Sequence, residues 1–77
     1  QEVIMYEQKQ DMISNLVRQL RAKGIVWPTV SEVLHDQAPE LPPKWHWRTR
    51  AGVPYAYCYY EQSDIIVVPS RYESSHV

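Results

Sequence analysis

The sequence predicts a small α+β domain, and three observations predict it. A long amphipathic stretch opens the chain without Pro or Gly, a capping box starts a second, shorter helix, and two β-prone runs around a polar turn follow. Seventy-seven residues make one domain spanning 1–77, with its core expected over about 4–69 and a polar tail over 70–77 that frays. A chain this short buries only roughly 60% of the surface it exposes when unfolded, so its stability is expected to be marginal.

Residues 4–23 read as the first helix. Met5, Met12 or Ile13, Leu16, Val17 and Leu20 recur on one side, and Gln8, Lys9, Gln10, Asn15, Arg18 and Gln19 fill the other. Arg21 and Lys23 meet the negative end of the helix dipole, and Gly24 is placed to end it. Ile25, Val26 and Trp27 form a β-prone run stopped by Pro28, which predicts a short strand. Thr29-Val30-Ser31-Glu32 then matches the capping box, with Pro28 and Val33 at the positions of a hydrophobic staple. The helix it starts is expected over 30–37, with Val30, Val33 and Leu34 facing inward. Pro39, Pro42 and Pro43 break it and force extended backbone.

Downstream, Val53 to Tyr60 is β-prone, with Tyr55, Tyr57 and Tyr59 alternating against Ala56, Cys58 and Tyr60. A polar turn at 61–64 leads into Ile65, Ile66, Val67 and Val68, ended by Pro69, and the two runs predict a hairpin. The tyrosine row is expected to be the sheet face that packs on the first helix. In the tail, Arg71 and Tyr72 are the residues able to pack.

Between these elements lies the one locally basic segment. Residues 1–40 hold four cations and six acids, 41–60 hold three cations and no acid, and 61–77 hold one cation and three acids. Lys44, His46, Arg48 and Arg50 fall at every second position, with Trp45, Trp47 and Thr49 between them, a pattern that suits a strand. Pro42-Pro43 before and Gly52 after suit a helix instead. The strand reading gives two helices plus a three-stranded antiparallel meander.

The helix reading gives the order helix, short strand, helix, helix, hairpin. Over residues 4–69 that order resembles the winged-helix (winged helix-turn-helix) family of DNA-binding domains. The resemblance is carried by element order, the 25–27 strand and the Thr29 cap, not by a sequence motif. It implies that 44–50 enters the major groove as a recognition helix and that the hairpin wing touches backbone or minor groove. Glu61 and Asp64 depart from that pattern, since a DNA-contacting wing normally presents Lys or Arg. Arg48-Thr49-Arg50-Ala51-Gly52-Val53 is also similar to the wing of Mu-type transposase DNA-binding domains, where it would be strand and turn.

The function expected is double-stranded DNA binding by a module of a larger regulatory or DNA-processing protein. Opening on Gln1, the sequence reads as a piece of such a protein. Lys44 and Arg48 are expected to anchor phosphates, and Arg50 and His46 to reach base edges or the adjacent backbone, because Arg forks onto guanine and cations pair with phosphate. Trp45, Trp47, Thr49 and, from the tail, Arg71 complete the candidate set. One alternative is a protein partner or homodimer docking on the Trp/Arg patch, since Trp, Tyr and Arg dominate interface hot spots. Another is single-stranded nucleic acid stacking on an aromatic sheet.

No chemistry beyond binding is expected. His35, His46 and His76 have no second ligand at metal-binding spacing, Cys58 lies mid-strand, there is no Gly-rich phosphate loop, and no carboxylates are paired for acid–base work. No catalytic residue, metal, cofactor or small-molecule substrate follows. A single cysteine excludes an internal disulfide and suits an intracellular setting, bacterial cytoplasm or eukaryotic nucleus. No apolar run reaches 18 residues, so no membrane partner is expected.

Overall fold

The computed structural model describes residues 2–74, with side chains from Gln8 to Glu73. Helix α1 (Glu2–Ala22) runs into α2 (Val30–Leu34), then strands β1 (His46–Arg50), β2 (Val53–Tyr60) and β3 (Ser63–Val67), and a last helix α3 (Pro69–Ser74). The domain is α+β, built on a three-stranded antiparallel meander in the order β1-β2-β3. It is the two-helix and meander arrangement with a C-terminal helix added.

The stripe on α1 delivers Leu16, Val17 and Leu20 to the core, with Met12 and Ile13 packed at its edge. The Met5 side chain, expected in the same stripe, lies outside the described residues. Gly24 ends the helix in the left-handed region (φ +69°). Its amide donates to the Arg21 carbonyl at 3.0 Å and the Ile25 amide to the Leu20 carbonyl at 3.0 Å, the paired bonds of a Schellman motif. The same bonds explain why residues 25–27 are not a strand. Ile25 spends its amide on the helix end and its carbonyl on the Tyr72 hydroxyl at 2.6 Å, which leaves nothing for a ladder.

The capping box forms as expected. The Glu32 amide donates to Thr29 Oγ1 at 3.2 Å, and the Thr29 amide donates to Glu32 Oε1 at 2.9 Å. The helix stops at Leu34, three residues early, because Asp36 turns left-handed (φ 56°). A second pair of Schellman bonds closes there, from the Gln37 amide to the Glu32 carbonyl and from the Asp36 amide to the Val33 carbonyl. Leu34, expected to face inward, is 67% exposed, while Val30 and Val33 are half-buried.

Residues 46–50 are strand, so the recognition helix of the winged-helix order does not form. Lys44 sits at φ 78°, which a helix starting at Pro43 could not contain. The tryptophans give the deeper reason. Two positions apart on a helix they would point about 200° away from each other, whereas on a strand they share one face. Trp45 is buried and Trp47 half-buried on the inner face, and His46, Arg48 and Arg50 are exposed on the other. Ala51 and Gly52 close β1 onto β2 with both φ values positive (52° and 78°), the two-residue turn whose twist matches a hairpin.

The tyrosine row also faces the other way from expectation. Trp47 pairs with Ala56, Cys58 with Ile65 and Ala56 with Val67, which puts the small residues of β2 on the inner face. Ala56, Cys58 and Val67 are fully buried there. Small side chains let α1 approach the sheet, and a row of tyrosines would bring phenol hydroxyls into the core without partners. Nor does the tail fray at once. Tyr72 on α3 is 8% exposed, its ring 5.0 Å from Trp27 and 5.1 Å from the Arg21 guanidinium carbon, and Arg21 Nη2 donates to its carbonyl at 2.5 Å. The end of that tail, 75–77, lies outside the described residues.

Candidate nucleic-acid interface

With α1 and α3 under one face of the sheet, no element among the described residues covers the opposite face. Its side chains follow from the register: His46 opposite Tyr57, Arg48 opposite Tyr55, Arg50 opposite Val53, Tyr57 opposite Ile66 and Tyr59 opposite Asp64. Cations therefore line the edge strand β1, tyrosines the central strand β2, and Asp64 and Ile66 the far strand β3.

Three of these groups are joined. The Arg48 guanidinium carbon lies 4.0 Å from the centroid of the Tyr57 ring, a close cation–π contact. The Tyr57 hydroxyl donates to Asp64 Oδ1 at 2.7 Å. That bond to Asp64, aided by desolvation and the Asp64 charge, raises the Tyr57 pKa above the ordinary phenol value, with Arg48 pulling the other way. Arg50 beside the turn and His46 at the opposite end have no hydrogen-bond or ion-pair partner among the described residues. Tyr59 is 60% exposed.

The other expected site residues lie elsewhere. Lys44 is exposed just before β1. Trp45, Trp47 and Thr49 are on the inner face. The Trp47 ring meets Trp27 edge-on at 4.9 Å, and its N–H donates to the Pro39 carbonyl at 2.7 Å. Arg71 is half-buried on α3, away from the sheet surface. The structure thus brings His46, Arg48 and Arg50 together and adds two residues outside the expected site, Tyr57 from the tyrosine row and Asp64 from the acidic turn. Their signal was present in the alternation of tyrosines with Ala56 and Cys58, small residues suited to a helix-facing side.

A groove of about 460 Å³ opens between α2, residues 38–41 and β1, floored by Val33, Leu41, Trp45 and Trp47 and rimmed by Asp36 and Glu40. Cys58 is buried on the inner face, and burial raises its thiol pKa while the Lys44 charge partly opposes. Among the described residues no three His, Cys, Asp or Glu side chains stand together as a metal site, and no helix is long and apolar enough to cross a membrane. No protein-family model, curated protein or solved structure matches the chain.

Proposed function

We propose that this domain binds double-stranded DNA, laying the outer face of the β1–β2 ribbon into the major groove as a non-enzymatic module of a larger regulatory or DNA-processing protein. The observation that carries the reading is a solvent-facing ribbon with His46, Arg48 and Arg50 in one row. A major groove about 12 Å wide admits a two-stranded ribbon, and strands about 4.8 Å apart fit within it. Two arginines and a histidine give modest affinity, so tight binding calls for a second copy or a further DNA-binding domain in the parent protein.

Single-stranded nucleic acid is the second reading, favoured by the outward tyrosine row and the exposure of Tyr59. Against it, Arg48 covers the ring of Tyr57, the middle member of the row, which interrupts a continuous stacking platform. A protein partner on the Trp/Arg patch has less support, since both tryptophans lie on the inner face.

Titration of a fluorescent duplex at low salt is the test. Wild type is expected to bind with a log–log salt slope of about −2 to −3, and Arg48→Ala/Arg50→Ala to lose at least about tenfold in affinity and at least about one unit of slope. Equal binding by both proteins, or none by wild type, sinks the proposal. Competition by an oligo-dT strand that exceeds competition by duplex transfers it to the single-stranded reading.

A further inference from the structure

We infer that Arg48 reads base identity, forking onto a guanine, while Arg50 and His46 hold phosphates on either side of it. This inference rests on the duplex reading above and assigns the roles within that face. On sequence grounds the roles differ, with Arg48 on phosphate and Arg50 on a base edge or the adjacent backbone. The geometry reassigns them.

β1 is the edge strand, so its outward side chains start at the rim of the sheet. Arg48 alone is drawn inward, with its guanidinium stacked over Tyr57 on the central strand. In a ribbon lying in the groove, the middle of the face meets the base edges and the rim meets the phosphate walls. Arg50, at the turn, and His46, two residues before Arg48, remain on the rim without partners among the described residues.

The way Arg48 is held fits that role. The Arg48 guanidinium carbon lies 4.0 Å over the Tyr57 ring and no hydrogen bond engages its N–H groups among the described residues, so they remain available as the two parallel donors that guanine O6 and N7 accept. The stack also orders a flexible side chain before DNA arrives, so less ordering remains to be done on binding. Tyr57 performs a second task through its hydroxyl. Asp64 Oδ1 accepts that hydroxyl, which keeps the only carboxylate among the described strand residues of this face engaged and away from an ion pair with Arg48. Tyr57 and Asp64 are positioning residues, since they act through Arg48.

Selection from a randomised duplex pool tests this, comparing wild type with Arg48→Lys, Arg50→Ala and Tyr57→Leu, each checked for folding by thermal unfolding. Wild type is expected to enrich a motif with an obligatory guanine. Arg48→Lys keeps the charge and the salt slope but loses the preference at that guanine by about tenfold or more. Tyr57→Leu weakens the same preference without changing the slope. Arg50→Ala keeps the guanine and makes the slope shallower by about one. Full guanine preference in Arg48→Lys, or its loss in Arg50→Ala, overturns the inference. Duplex binding without any base preference overturns it while leaving the duplex reading in place, and failure of wild type to bind any duplex removes both.

Discussion

At the scale of single residues, Trp27 and Cys58 show how the core manages polar atoms. Pro54 lies in the central strand, where its missing amide would face past the end of β3, so no ladder bond is lost. Its carbonyl faces the same way and accepts the Trp27 indole N–H at 3.0 Å. Trp27 thus completes the sheet end that β3 does not reach, which is a different task from the strand its sequence suggested. Cys58 is buried further along β2, opposite Ile65, with its thiol pKa raised by burial, and Tyr57 on the outer face is raised by Asp64. Both shifts favour the protonated form in the folded state, so the associated stability is fully present below the ordinary thiol and phenol ranges. It is lost as pH rises, from about 8.5 for the thiol and from about 10 for the phenol. Urea midpoints measured from pH 7 to 9.5 are expected to fall more for wild type than for Cys58→Ala. Identical pH dependence in the two proteins would show that Cys58 contributes nothing.

At the scale of elements, backbone conformation rather than propensity sets the boundaries. Asp36, Glu61 and Gln62 all adopt positive φ (56°, 51° and 61°) without being glycine. Glu61 and Gln62 form the two-residue turn between β2 and β3, and Asp36 ends α2. An L-residue in this region costs roughly 1 kcal/mol or more relative to glycine, which explains why the early stop after Leu34 is not legible from residue types. Asp36→Gly is expected to raise stability by up to about 1 kcal/mol, read as a higher urea midpoint at unchanged slope. A lower midpoint would mean that the Asp36 side chain supports the turn. Where the chain does carry the residue its turn requires, as at Gly24, Gly52 and the Thr29 cap, element ends were legible in advance.

At the scale of the whole molecule, one small core holds α1, the sheet and α3 together. Leu16, Val17 and Leu20 meet Ala56, Cys58, Ile65, Val67, Trp45 and Tyr72 there. For 77 residues a total stability of roughly 4–12 kcal/mol is expected, and truncating a buried leucine removes about 2–5 kcal/mol. Leu20→Ala should therefore lower Tm by at least about 10 °C in a calorimetric scan. A shift of only a few degrees would mean that α1 is dispensable to the core. The sequence by itself determined what local chemistry can determine: the first helix and its glycine stop, the capping box, the hairpin, and a basic row at 44, 46, 48 and 50. Only the tertiary structure decided that 46–50 is a strand with Lys44 left outside it, that the tyrosines face outward, and that Arg48 lies on Tyr57. These outcomes depend on which face α1 covers, and that choice is made by distant residues, Leu16 and Leu20 against Ala56 and Cys58. Local periodicity is the same for either face of a strand, so only packing across the chain can select one.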